Sequence, residues 1–196
     1  MKRLVILILV IVVLGFTSAE YLKRTRVFVA PESQLIIKGK TNINKFSCTF
    51  DATNLKNPIP VYFQNENDKM VFEETKLILS TRCFDCGNKP MNNDFYDLLQ
   101  AKAYPEIVLN LRSVTMESNN DNSINADVDI NISGVINSYK LPLKMYGTDT
   151  MEISGTLKLN INDFNIEAPR KALGLIVVSE FIEIDLRLHV TEGTTL

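Results

Sequence analysis

SINADVDINISG, Ser123 to Gly134, is the stretch whose reading decides the fold. Ile124, Ala126, Val128, Ile130 and Ile132 fall on one side of an extended backbone, and Asn125, Asp127, Asp129 and Asn131 on the other. Successive strand side chains point to opposite faces, so this segment predicts an antiparallel strand with one dry and one wet face. Two more stretches repeat the pattern. Met151 to Asn162 sets Met151, Ile153, Leu157, Leu159 and Ile161 against Glu152, Ser154, Thr156, Lys158 and Asn160. Glu180 to Val190 sets Ile182, Ile184, Leu186, Leu188 and Val190 against Glu183, Asp185, Arg187 and His189. At about 3.4 Å per residue an eleven-residue strand spans roughly 37 Å, where the usual strand has only about 5–6 residues. Long strands with one dry side predict a sheet curled around something apolar.

The rest of the chain is consistent with this. Gln34 to Lys40 and Asn42 to Phe50 read as strands broken at Gly39, followed by Ile59 to Gln64 and by the extended stretch Met70 to Phe84. One segment has a helical stripe: Asn92 or Asn93 caps it, Phe95, Leu98 and Leu99 recur at helical spacing, and it ends before Pro105. Pro105 to Glu117 returns to the strand pattern, and Ser118 to Ser123 marks a turn. Val135 to Tyr139 is read as a turn leading into a last stretch, Lys140 to Gly147. The expectation is one all-β domain with eight or nine strands and one short helix. Alternation alone suits a sandwich as well as a barrel, and strand length favours the barrel, because closure removes long exposed edges. An eight-stranded barrel either fills its interior with side chains or holds one small ligand.

The first nineteen of the 196 residues read as a secretory leader. Lys2 and Arg3 precede the apolar run Leu4 to Leu14, and Thr17-Ser18-Ala19 offers the small residues of a cleavage site. The run is shorter than the roughly 20 apolar residues that span a bilayer. Cleavage after Ala19 implies a periplasmic or secreted protein without stable membrane insertion, with residues 20–32 as a solvated arm and 33–196 as the folded domain. Without Lys2 and Arg3, the 21 basic residues fall to 19 against 23 acidic ones, a net charge of −4. A weakly acidic domain whose one basic cluster is Lys23 to Arg26 argues against a nucleic-acid partner.

The chain also lacks the usual residues of catalysis. Its single histidine, His189, sits on a wet strand face, so a His-based triad or a His-rich metal site has no basis. There is no phosphate-binding glycine loop and no nucleophile elbow, and Asp127 and Asp129 share a solvated face. No enzyme activity and no cofactor are expected. Three cysteines leave two readings. Cys83 and Cys86 have C-x-x-C spacing, which would suit a thiol redox protein. The structural alternative, favoured here, joins Cys48 to Cys86 in a disulfide and leaves Cys83 as a buried free thiol.

Four motifs in order resemble the YceI-like family. They are Gly39-Lys40-Thr41-Asn42-Ile43-Asn44-Lys45-Phe46, then Met91 to Tyr96 running into Ala103-Tyr104-Pro105-Glu106-Ile107, then Val128 to Val135 with Leu141-Pro142-Leu143, and finally Leu157 to Ile166. The resemblance extends over roughly Ser33 to Val190. It implies an exported bacterial protein with an extended, lipocalin-like antiparallel barrel that binds a polyisoprenoid or isoprenoid quinone without reacting with it. One departure stands out: many family members carry histidines in the first two strands, and this chain has none there. Alternation assigns the inner wall to Ile37, Phe46, Phe63, Leu109, Val128, Ile130, Leu143, Ile153, Leu157, Leu159, Ile184 and Leu186. A tunnel so lined selects ligands by shape and length. The other outcome is a structural or partner-binding barrel with a filled core. Phe95, Tyr96, Leu98 and Leu99 are candidates to cap one end, and Ile166 to Leu175 is a candidate flap.

Overall fold

The computed structural model describes residues 22–117 and 122–193. The expected leader, 1–19, lies outside them, as does much of the expected Ser118 to Ser123 turn. In chain order the elements are β1 (Lys23–Val29), β2 (Gln34–Lys40), β3 (Lys45–Phe50), β4 (Ile59–Glu66), β5 (Lys69–Ser80), β6 (Phe84–Asp85) and α1 (Lys89–Leu98). There follow β7 (Glu106–Met116), β8 (Ser123–Ile132), β9 (Val135–Tyr146), β10 (Thr150–Asn160), β11 (Arg170–Lys171), β12 (Ile176–Val177) and β13 (Phe181–Gly193). Eight strands close an antiparallel barrel in the order β1-β4-β5-β7-β8-β9-β10-β13, with β13 pairing back to β1. The quoted stretch forms β8, and its five apolar residues are all buried.

The length of β13 shapes the wall. One of its edges runs along β10 from Phe181 to Thr191. The other is shared: Val190–Gly193 pair with β1, and Glu183–Arg187 pair with β2. One end of the barrel is therefore closed by β1 and β4. At the other end the wall continues through β2, β3 and β6, and α1 packs against it through Phe95, whose ring lies 5.3 Å from that of Phe84. The Ser133 hydroxyl donates to the Leu99 carbonyl at 2.9 Å, and the Tyr96 hydroxyl donates to the Phe84 carbonyl at 3.0 Å. These bonds hold the helix across the wall.

Three local expectations need correction. The stretch expected as a solvated arm contains β1, whose Val29 is buried, because pairing to β4 and β13 satisfies its backbone on both edges. The helix starts earlier than expected. Asn88 is its cap, accepting from the Met91 N–H at 3.0 Å with Pro90 in the first turn, whereas Asn92 accepts from the Cys86 N–H and donates to Asp85. Val135 to Tyr139 is strand rather than turn. The reversal is confined to Ser133 and Gly134, both at positive φ (51° and 82°), which makes a two-residue hairpin loop.

The seam between β9 and β10 is paired only where Lys144–Tyr146 meet Glu152–Ser154. Beyond it, Pro142 has no N–H to donate. A Cβ at Gly155 would lie 2.7 Å from the Pro142 carbonyl, so only glycine permits that approach. Side chains continue the seam: Asn137 Nδ2 donates to the Asp163 carbonyl at 2.7 Å, and the Tyr139 hydroxyl donates to the Asp163 carboxylate at 3.2 Å. Burial, then the Asp163 charge, then this hydrogen bond push the Tyr139 phenol from 10.0 up to about 12. The neutral phenol is thus favoured in the fold, so its contribution is fully present below pH 10.0 and is lost as pH rises through about 12. Alkaline difference spectroscopy should find a late-titrating tyrosinate that belongs to Tyr139. Tyr139→Phe should abolish it and flatten the alkaline fall in stability; an unchanged titration would contradict the assignment.

Candidate functional site

The barrel interior contains a narrow lumen of about 90 Å³, lined by 22 residues of which only Ser179 is polar. It is built from both regular and irregular elements. Leu35 and Ile37 of β2, Leu109 of β7, Ile130 of β8, Leu157 of β10 and Ile184 and Leu186 of β13 contribute through strand alternation. Phe95, Leu98 and Leu99 come from α1, and Ile161, Phe164 and Ile166 come from the single-turn helix Ile161–Phe164 and the residues after it. Phe46 of β3 folds over its cross-strand partner Gly39, where a Cβ would stand 2.3 Å from the ring. Glycine at that position lets the ring lie flat against the wall.

Seven of the twelve residues assigned by alternation meet at this lumen: Ile37, Phe46, Leu109, Ile130, Leu157, Ile184 and Leu186. Five do not. Val128 and Leu159 are buried in the surrounding core, and Ile153 packs against it. Leu143 packs against Gly155 at the seam. Phe63 pairs with Phe72 at 6.0 Å, with the Lys23 Nζ 5.9 Å from its ring. The reason is geometric: the lumen occupies the half of the barrel walled by β2, β3, β6 and α1, and the half closed by β1 and β4 is packed with side chains. Period-two reading finds the inner face and carries no information on where along the axis space remains. Leu35, Ile132 and Leu141 share their strand faces with predicted residues, so alternation was signal enough for them. Ile161 falls on the dry face read for Met151 to Asn162, whereas Phe164 lies in a short helical turn, which that signal cannot reach.

The three cysteines divide between wall and edge. Cys48 of β3 and Cys86, just after β6, form a disulfide within the wall of the lumen half, which leaves the C-x-x-C spacing without a pair. Cys83 is free, but it is half-buried rather than buried, because it ends the turn Thr81–Cys83 at the barrel edge. No ionisable group lines the lumen. Charges lie outside it: the Lys38 ammonium, followed by the Thr156 hydroxyl, holds the Asp185 carboxyl below its usual range, and Ser113 does most to lower Asp127. His189 lies on the outer face of β13, where Arg187 pairs with Glu152 at 3.6 Å. The one polar group facing an occupant is the Ser179 hydroxyl. The lumen can enclose hydrocarbon.

Solved structures share this architecture. BcnA of Burkholderia cenocepacia matches with 19% identity and a TM-score of 0.57, over 84% of this chain and 99% of its own. A domain from Saccharophagus degradans, described as polyisoprenoid-binding and implicated in plant cell wall breakdown, matches with 14% identity and a TM-score of 0.61, over 88% and 100%. The YceI protein of Campylobacter jejuni matches with 16% identity and a TM-score of 0.50, over 67% and 84%. Among curated proteins nothing matches. At these identities the likeness is one of fold. Residues 38–190, however, also match the model of the YceI-like domain, and the chain belongs to the YceI-like family.

Proposed function

We propose that this protein is an exported, non-enzymatic carrier that holds a long apolar lipid, a polyisoprenoid or isoprenoid quinone, in its lumen. The observation that carries the reading is a wall of 22 residues with one hydroxyl and no charge. An enclosed space so lined stays dry, and each CH2 moved into it from water contributes about 0.8 kcal/mol. The likeness to a polyisoprenoid-binding domain supports the ligand class, and family membership supports binding over catalysis. At about 90 Å³ the lumen is well below the roughly 300–1,000 Å³ of pockets that enclose drug-sized ligands. A long chain therefore enters with rotation of lining leucines and phenylalanines. That same volume favours a second reading, a barrel with a filled interior that binds a partner on its surface.

Intact-mass spectrometry of gently purified, exported protein separates the two, followed by solvent extraction and identification of what is bound. A carrier retains a lipid that leaves with solvent; an empty protein under all conditions supports the filled barrel. Filling the lumen with Ile130→Phe and Leu157→Phe is expected to cost about 1–3 kcal/mol of stability. It should also lower lipid recovery by about tenfold or more, the equivalent of two lost CH2 contacts. Unchanged recovery from a folded double variant would place the lipid elsewhere.

A further inference from the structure

Apolar side chains are exposed beside the lumen mouth. Leu173 is 106% exposed, Leu175 76%, Ile43 69% and Phe181 58%. They belong to segments tied together by Asn42. Its Nδ2 donates to the Leu175 carbonyl at 2.9 Å, its Oδ1 accepts from the Val177 N–H at 3.0 Å, and its own N–H donates to the Val177 carbonyl at 3.1 Å. The turn carrying Ile43 is in turn held by the Thr41 hydroxyl, which accepts from the N–H groups of Ile43 and Asn44. Leu173 adopts a left-handed backbone, φ 57°, which a bulky side chain rarely takes. A leucine held strained and fully exposed is unfavourable twice over in water, and such outliers mark functional surfaces. The same segments feed the lumen directly: Phe46 follows Lys45, and Val178 and Ser179 follow Val177.

The charge around these tips is distinctive. A groove beside them is lined by Lys38, Lys40, Lys45 and Lys158 with Phe181. Lys38 pairs with Asp185, and Lys158 with Glu183 at 3.3 Å. Lys40 and Lys45, opposite each other across the hairpin, have no anionic partner among the described residues. Glu180 is nearby and accepts from Asn162 Nδ2 at 2.7 Å. The groove is thus lined by four lysines and one carboxylate, Glu183, with Asp185 and Glu180 beside it, on a chain whose formal charge is −2. Apolar tips rimmed by unpaired cations suit an interface with headgroups above and acyl chains below.

We propose that Ile43, Leu173 and Leu175 insert into an anionic bilayer surface, with Lys40 and Lys45 on its phosphates, so that the lumen mouth faces the membrane. The inference rests on the carrier reading, since a lumen lipid must leave and re-enter a bilayer. The test is flotation of the full exported protein with vesicles of phosphatidylcholine and phosphatidylglycerol, compared with phosphatidylcholine alone. The wild type should float with the anionic vesicles, and Leu173→Ser with Leu175→Ser should reduce the bound fraction about tenfold. Lys40→Glu with Lys45→Glu should remove the preference for anionic lipid, as high salt should. Because the chain has no Trp, Leu173→Trp gives an unambiguous reporter whose emission should shift to the blue on vesicles. Absence of flotation, equal flotation of the serine variant, or a dimer that buries the tips and leaves vesicles unbound would each overturn the proposal. Lipid content by intact-mass spectrometry is read separately. An empty lumen with vesicle binding defeats the carrier reading alone, and a loaded lumen without vesicle binding defeats this one.

Discussion

Phe84→Ala is expected to lower the unfolding free energy by about 3–5 kcal/mol. Phe84 is 1% exposed and stands at the junction of three structures. Its ring meets Phe50 of β3 edge-on at 5.1 Å and Phe95 of α1 at 5.3 Å. Its backbone pairs with Phe50 in the two-residue strand β6. The space it leaves opens onto the lumen, which Phe84 lines. The cavity therefore persists rather than collapsing, which puts the cost near the top of the range for aromatic truncations. The variant should also loosen α1. Urea denaturation should show an earlier midpoint with the slope preserved, and amide exchange in Lys89–Leu98 should quicken more than in β8. A midpoint near that of the wild type would mean that the ring junction is not what holds the wall.

Removal of the disulfide, by Cys48→Ala with Cys86→Ala, should cost about 4 kcal/mol on the chain-entropy estimate, for a separation of 38 residues. The bond ties β3 to the end of β6, and the loop it closes contains β4 and β5. The comparison is between the oxidised wild type and the double variant in equilibrium denaturation; coincident curves would show that the bond is energetically idle. Phe84 lies two residues from Cys86 in the same wall, so the two effects should not add. Phe84→Ala in the double variant should cost less than in the wild type, because part of the wall has already been released. Acid should act in the same region. Asn92 first, then the Gly87 N–H, hold the Asp85 carboxyl below its usual 3.8. Its contribution is thus present above 3.8 and disappears as pH falls through the lower native value.

The half-dry strands were legible because alternation is a local property, and their length favoured closure into a barrel. Ile124 to Ile132, Leu157 with Leu159, and the inner face of β13 needed no knowledge of their partners. The helix was legible in kind and not in its start: Asn88 and Asn92 are equally good caps in isolation, and the backbone turn at Gly87, φ 93°, decides between them. The strand nature of Lys23–Val29 was hidden for the opposite reason. Its basic residues look like a solvated arm, yet the Lys23 ammonium lies over the Phe63 ring and the Arg24 guanidinium over Tyr62, while both residues stay exposed.

By itself the sequence determined the all-β class, the dry and wet faces of the long strands and the family resemblance. Each of these follows from residue type and near-neighbour spacing. Tertiary structure alone decided that β13 serves two partners on one edge, that Pro142 and Gly155 open a seam, and that the lumen lies in only one half of the barrel. These depend on how much volume opposing walls leave between them, which is a sum over side chains far apart in the chain and has no local signature.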